Sequence, residues 1–502
     1  MKNSAPSVML FRRDLRLYDN AALHAANSFN DTLYIYIHEE AKDEKGSETT
    51  IDKTWQTGAA SQWWLHHSLA KIKEALSIQK QDFIFFKTSH QKPIEEILLE
   101  LCQTNNCHNI FWNRRYEPHH IKQDTVLKRS LQKHNITVNS FNNNLLSEPW
   151  TKFTKQGTPF KVFTPYWRHC KNTFLNESSI AEPLPKPHFN QSKKQWHIQD
   201  QVALDDLQLL PKKPDWAINF NQYWQVGETH AQQAWDDFLK NSINRYENSR
   251  NIPSIAGTSK LSPHLAFGEI SVRQIWHDVM QQKSFDRQHS DDLDRYLSEI
   301  GWREFSYYQL YHFPELPEKN FNPRFNHFQW DEPSEQLKAW QKGMTGYPLI
   351  DAGLRELWQT GYMHNRVRMV VASFLCKDLM IHWQEGAKWF WDTLLDADLA
   401  SNSASWQWCA GCGADAAPFF RIFNPTIQSE KFDAEGLYIR RWVPELSKMP
   451  NKFIHKPHEA PEEILQQAQI ELGNTYPKPI VDHKSARLEA LERYKNLKTT
   501  NN

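Results

Sequence analysis

The chain has 502 residues, with 59 Lys+Arg against 59 Asp+Glu, 21 Trp, 28 Phe, 16 Tyr and 6 Cys. That length exceeds what one hydrophobic core organises and predicts at least two domains. A formal net charge of zero excludes steering toward nucleic acid by overall charge and leaves that role to a local basic patch.

Six cysteines are too few for a disulfide framework in so long a chain, and they fit a reduced, cytoplasmic compartment. The opening stretch MKNSAPSVMLFRRDLRL has a short apolar run backed by arginines, too little for a signal peptide. No run reaches the about 18 apolar residues of a membrane span; MVVASFLC stops at Lys377. A soluble protein is expected.

Residues 7 to about 142 alternate β-rich runs (SVMLF; LYIYI, 33–37; DFIFF, 82–86; NIFW, 109–112; ITVNSF, 136–141) with helical patterns. The alternation predicts βαβ units and a parallel, doubly wound sheet. Gly46 and Gly58 are its only glycines, so no G-x-G-x-x-G turn exists and an ordinary nicotinamide-dinucleotide site is not expected. From 143 to 225 the periodicity fades among five prolines between Pro183 and Pro214, which reads as a long surface connection. After Glu228 the patterns are helical: Ala231, Ala234, Phe238 and Leu239 share one face, and the same holds across 291–312, 349–360, 366–380 and 385–395. The fold expected is an α/β N-terminal domain (1–142), a linker (143–225), a larger all-α domain (226–490) and a short tail (491–502).

Three constellations carry chemistry. GTSKLSPHLAFGEIS, 257–271, sets Thr258, Ser259, Lys260 and Ser262 before an apolar helical stretch. Hydroxyls, free backbone N–H groups and a lysine at a helix start suit a phosphate or diphosphate, and a plain N-cap followed by Pro263 is an equally good reading. SEIGWREF places Glu299 and Trp302 at i and i+3, while YMHNRVRM places Asn365 and Met369 at i and i+4, flanked by Arg366 and Arg368. Each alone is an ordinary amphipathic helix. Together they line a pocket for a planar polar molecule such as a nucleobase, with Arg366 on a phosphate.

The third, LLDADLASNSASWQWCAGCGADAAPFFRIFNP, holds Asp396, Asp398 and Asn402 ahead of Trp406 and Trp408. Zinc at Cys409 and Cys412 lacks a second ligand pair nearby, and a thioredoxin-like dithiol belongs after a strand. Both cysteines read as small buried side chains with no metal, so the stretch turns on its indoles.

Taken together, VMLFRRDLRLYDN, GTSKLSP, WREF, TGYPLIDAGLRELWQTGYMHNRVRM, WQWCAGCGADAAPFFRIFNP and YPKPIVDHKSAR closely resemble the photolyase/cryptochrome family over nearly the whole chain. The resemblance implies an N-terminal antenna-binding domain, a linker and a helical domain holding FAD in a U-shape. Tyr246, Thr258, Ser259, Lys260, Leu261 and Ser262 resemble the FAD-binding stretch around the phosphates. Asp396 and Arg368 resemble the ion pair beside the isoalloxazine, with Asp398 close to the ring. Asn402 resembles the residue facing flavin N5, where an amide favours repair. Trp406, Trp383 and Trp330 match the family's electron-carrying tryptophan chain, and Trp408 is similar to the ring that flanks a flipped lesion together with Trp302.

Glu299, Trp302, Asn365 and Met369 resemble the cyclobutane-dimer photolyases; the 6-4 photolyases place histidines at the positions of Asn365 and Met369. Glu299, protonated, and Asn365 are then expected on the thymine carbonyls, and Arg250, Arg366 and Lys431 on DNA phosphates. The function implied is light-driven repair of cyclobutane pyrimidine dimers in duplex DNA by a monomer. The alternative is a cryptochrome-type blue-light photoreceptor signalling through a flavin radical. Glu117 in NRRYEP resembles an acid that contacts a folate antenna, which makes methenyltetrahydrofolate the expected antenna, with deazaflavin or flavin as alternatives. The same acid is also placed to pair with Arg114 or Arg115.

Overall fold

The computed structural model describes residues 5–39, 55–89, 91–142, 144–176, 180–191, 194–333, 335–416 and 420–499. Strands β1 (Ser7–Phe11), β2 (Thr32–His38), β3 (Phe83–Lys87), β4 (Asn109–Asn113) and β5 (Thr137–Phe141) form one parallel sheet in the order β3-β2-β1-β4-β5. These are the five β-rich runs of the sequence, with ends displaced by a residue or so. β2 is buried along almost its whole length, as a parallel strand covered on both faces must be. The two-residue period sorts β1 cleanly. Met9 and Phe11 enter one core with the helices Ala21–Ala26 and Ala59–Ile78, while Val8 and Leu10 enter the opposite core with Ile94–Asn105 and Pro118–Lys133.

Directly after β1 the segment RRDLRLYDN leaves the sheet and docks on the helical part. The Leu15 amide donates to Phe267 O at 3.1 Å, and Arg16 donates to Gly268 O at 2.8 Å. The Leu17 and Tyr18 amides donate to the Glu228 carboxylate at 2.9 and 2.8 Å. Gly268 makes this approach possible: its φ is +66°, and a Cβ there would lie 2.4 Å from Arg13 O.

The stretch 143–225 departs from the expected surface connection. It contains a helix, Phe163–Asn176, that buries Phe163, Tyr166, Trp167, Cys170 and Phe174 against the long helix Ser290–His312. Gly301 admits this packing, since a Cβ there would sit 2.6 Å from the Trp167 ring. From Glu228 onward the described residues are helical, chiefly Glu228–Asn241, Val272–Phe285, Ser290–His312, Pro348–Thr360, Asn365–Lys377, Trp383–Thr393 and Leu399–Ala410. Residues 491–499 of the expected tail at 491–502 belong instead to a final helix, His483–Thr499, because Ala490 and Leu497 are buried and Tyr494 stacks on Phe420 at 4.5 Å and 6°; residues 500–502 lie outside the described residues. Among the described residues no helix is long and apolar enough to cross a membrane.

Candidate functional site

The helix Leu399–Ala410 packs against Ser290–His312, Asn365–Lys377 and Trp383–Thr393. The SEIGWREF, HNRVRM and SNSASWQW motifs therefore converge, although residues 306–400 separate the first from the last.

On one side of this junction lies the GTSKLS segment. Tyr296 OH donates to Ser259 Oγ at 3.2 Å, and the Leu261 amide reaches the same oxygen at 3.4 Å. Lys260 takes a left-handed φ of +52°, which aims its exposed side chain across Tyr362, 6.0 Å from the ring centroid. Gly257 lets the loop close, because a Cβ would meet Ser249 O at 2.5 Å. The helix that follows, Ser262–Ala266, is a single short turn with Leu261 as N-cap and no side-chain cap bond. Its dipole is small, so binding of an anion here falls to Lys260 and the hydroxyls rather than to a long helix. Tyr246 is buried beneath, edge-on to Tyr296 at 5.2 Å.

Arg368 donates to both oxygens of the buried Asp396, at 3.1 and 2.9 Å, and its Nε donates to Met363 O at 2.7 Å. Burial opposes the Arg368 charge, but Asp396, Tyr362 and Glu356 outweigh it and hold its pKa above the ordinary value. Asp398 serves the fold as well as the site. It caps Leu399–Ala410, accepting from the Ser401 amide at 2.7 Å, and also accepts from Tyr307 OH. The Asn402 side chain is fixed by a bond from Nδ2 to Ala387 O at 3.0 Å.

These residues fit a flavin dinucleotide. Lys260 and the hydroxyls of Thr258, Ser259 and Ser262 supply donors for phosphate. The Arg368–Asp396 pair and Asn402 supply polar edges for a flat heterocycle. A buried ring nitrogen, His364 Nε2, has no protein partner among the described residues and faces the same cations. His364, Tyr362 and Glu356 fall inside the motif TGYPLIDAGLRELWQTGYMHNRVRM with no role assigned to them by its pattern, and Tyr438 lies outside it.

The candidate lesion pocket is more engaged than the sequence implies. Arg250 is paired with Glu299, and Arg295 approaches Glu299 at 3.9 Å. Arg250 also lies over the Tyr246 ring at 5.4 Å, so it is not a free cation waiting for a phosphate, and Glu299 is held as its ion-pair partner. Arg366 donates to Asn251 Oδ1 at 2.7 and 3.2 Å and stacks over Phe432 at 4.5 Å. Lys431 remains exposed at the end of Pro425–Phe432, 5.3 Å from the Phe432 ring. Trp302 is stacked face to face on Phe163, at 3.8 Å and 10°, by the helix that the sequence pattern does not resolve. Asn365 is exposed at the first position of its helix while Met363, His364 and Val367 are buried, and Met369 follows one turn later.

Trp406 is 2% exposed and lies 4.9 Å from Phe390 and 6.3 Å from Trp340. Its ring sits directly on Gly386, one turn along the helix that begins at the fully buried Trp383. Trp383 Nε1 donates to Asn320 Oδ1 at 2.9 Å. His382 stands between Trp383 and the half-buried Trp330, with ring centroids 5.5 and 5.2 Å away. Trp408 is half-buried on the same helix as Trp406. All six cysteines are free and buried, and burial pushes the Cys409 thiol up to about 12, which leaves it inert.

Glu117 pairs with neither Arg114 nor Arg115. Its carboxylate accepts from the Tyr116 amide at 3.1 Å and contacts His120 Nδ1 at 3.2 Å. Arg114 bonds Glu148, and Arg115 bonds Glu39 and Asp124.

Residues 7–188 match the DNA photolyase family model, and residues 296–496 match the FAD-binding domain of DNA photolyase. The chain is 46% identical to a deoxyribodipyrimidine photo-lyase of Agrobacterium fabrum, covering 99% of both proteins. It is 35% identical to Cryptochrome-2 of Arabidopsis thaliana over 97% of this chain and 78% of that protein. Its fold superposes on a bacterial class III photolyase from Agrobacterium tumefaciens with a TM-score of 0.91, at 46% identity, covering 99% of this chain and 98% of that one. The chain belongs to the photolyase/cryptochrome family. It is an enzyme of the photolyase class, built as a parallel-sheet domain followed by a helical FAD-binding domain.

Proposed function

We propose that this enzyme repairs cyclobutane pyrimidine dimers in duplex DNA, driven by blue light. The observation that carries the reading is the pair at the pocket mouth. Asn365 is exposed at a helix start with Met369 one turn behind, and Glu299 and Trp302 lie on another helix that packs against the same Leu399–Ala410 helix. Neither Asn365 nor Met369 exchanges a proton near neutral pH, so the pocket suits a reaction that needs no acid–base pair. Opening a cyclobutane is such a reaction. The chemistry that bound, reduced FAD supplies there is the loan of one electron to the dimer on light absorption and its recovery after the ring opens.

The chain's own residues do the rest. Trp302 offers a ring face, held flat by Phe163, for a flipped base. Asn365 donates to a thymine carbonyl, where charge developing in a dry pocket rewards preorganised donors. Glu299 reaches the bases after Arg250 turns from it to a phosphate, which also supplies the cation the strand needs. Arg366 and Lys431 extend that basic rim. Asn402, anchored through Ala387 O, holds an amide toward the cofactor and offers it no acidic proton. Trp406, Trp383 and Trp330, with His382 between the last two, form the route by which electrons enter from the surface.

The expected antenna is methenyltetrahydrofolate. Glu117 meets Tyr116 and His120 through Oε2, and its other oxygen, Oε1, is the one proposed to contact the antenna. The protein acts as a cytoplasmic monomer. The test is direct: purified, reduced protein is mixed with a duplex carrying one thymine dimer, and thymine absorbance is followed in blue light and in the dark. Recovery in light alone supports the proposal. A protein that holds FAD, photoreduces it and repairs nothing is a photoreceptor instead.

A further inference from the structure

His364 belongs to none of the motif roles above, yet every other polar atom on it is accounted for. It is the N-cap of Asn365–Lys377, and its Nδ1 accepts from the Arg366 amide at 3.2 Å. Its own amide donates to Glu356 at 3.3 Å, and its carbonyl accepts from the Val367 and Arg368 amides at 2.9 and 3.0 Å. A ring nitrogen that accepts cannot carry the proton, so the neutral ring holds it on Nε2. Burial, followed by Arg368, Arg366, Lys260 and Arg250, pushes the imidazole down to about 3, which keeps it neutral at any physiological pH. The residue is 5% exposed, and Nε2 has no partner among the described residues.

Native proteins rarely leave a buried N–H unpaired. Here the orphan is a donor with a fixed tautomer, and the charges that act most on the ring are those of Arg368, Arg366, Lys260 and Arg250, with Glu356 on the backbone amide. Lys260 comes from the GTSKLS segment, Arg368 holds Asp396, and Arg366 follows on the same helix turn. Such surroundings reject a further cation and favour an electron-rich oxygen.

We propose that His364 is a cofactor-binding residue whose Nε2–H donates to an oxygen of the ribityl–diphosphate chain of FAD. The proposal rests on the FAD reading and adds to it one donor from a different segment of the chain than Lys260. Its Nδ1 bond to the Arg366 amide fixes the ring, so the same histidine couples the start of the helix carrying Asn365 and Met369 to the bound dinucleotide.

The variant His364→Asn tests this. Asparagine is a good N-cap and preserves the bond to the Arg366 amide, but it is too short to reach where Nε2 stands. Apo forms of wild type and H364N are expected to melt together, while the FAD dissociation constant of H364N rises roughly 10- to 100-fold, the loss of one hydrogen bond to a charged acceptor. In wild type, the Nε2–H resonance of His364 should move downfield when FAD is added. If apo H364N does not fold, histidine methylated at Nε2 removes the N–H and keeps Nδ1, and the same weakening is expected. An unchanged FAD dissociation constant in a folded variant overturns the proposal. So does unchanged FAD binding with weaker binding of a dimer-containing duplex, which assigns the donor to the substrate. Wild type that binds no FAD overturns the FAD reading itself, a result visible before any variant is compared.

Discussion

Gly386→Ala tests the placement of the electron route. A Cβ built on Gly386 lies 2.0, 2.4 and 2.6 Å from three carbons of the Trp406 ring. Carbon atoms pack at about 3.5–4.0 Å, so the ring must retreat by about 1.5 Å. It has nowhere to go: Trp406 is 2% exposed, Phe390 lies 4.9 Å away on one side and Trp340 6.3 Å away on another. Overpacking of a closed core costs about 1–3 kcal/mol, and the better helix propensity of alanine returns about 1 kcal/mol at most. G386A is therefore expected to be destabilised by up to about 2 kcal/mol in denaturant titration. Displacing the indole should also slow flavin photoreduction several-fold, while repair by chemically reduced protein changes little. Wild-type stability with an unchanged photoreduction rate would show that Trp406 does not rest on Gly386 and would refute the route drawn through it.

Other expectations follow from the same packing and charge arguments. Trp383→Phe should block photoreduction and leave repair by pre-reduced protein nearly intact; loss of both assigns Trp383 to the repair pocket instead. Gly301→Ala puts a Cβ 2.6 Å from the Trp167 ring and should cost about 1–3 kcal/mol by denaturant titration, with Trp302 loosened and dimer affinity reduced. Glu304 is buried on the same helix, and burial, only partly offset by Arg303 and the Leu146 and Ser147 amides, pushes it from 4.5 up to about 7. Its folded pKa lies above the unfolded one, so folding favours the protonated form. The stability this contributes is complete below pH about 4.5 and is lost as pH rises to about 7, a total of about 3 kcal/mol. Glu304→Gln should flatten that part of the stability–pH curve, and an unchanged curve would contradict the assignment.

The strands were legible because a parallel sheet covered on both faces demands apolar residues at every position, and LYIYI can be little else. The long helices were legible through their 3.6-residue period. The helix Phe163–Asn176 was not, although Phe163, Tyr166, Trp167, Cys170 and Phe174 do recur at helical spacing. Pro165 and the charged residues between them mask a stripe that is mostly aromatic. The final helix escaped for a similar reason, since its sequence is polar and its docking depends on Tyr494 meeting Phe420 across 74 residues.

In the site, residue types were legible and pairings were not. Nothing in the local pattern links Arg250 to Glu299, 49 residues on, or Arg366 to Asn251. The two histidines at helix starts, His364 and His382, were missed because histidine is an uncommon N-cap. Each accepts the amide two residues ahead through Nδ1, which fixes the ring by a bond that residue type and spacing do not reveal.

The proposed repair of a cyclobutane dimer by light-driven electron transfer is tested most directly by a comparison of two lesions. Pre-reduced protein should be given matched duplexes carrying either one thymine cyclobutane dimer or one 6-4 photoproduct, each in blue light and in the dark. Intact thymines are expected only from the cyclobutane duplex and only in light. Restoration of the 6-4 duplex, restoration in the dark, or no restoration by protein that holds FAD and photoreduces it would contradict the claim.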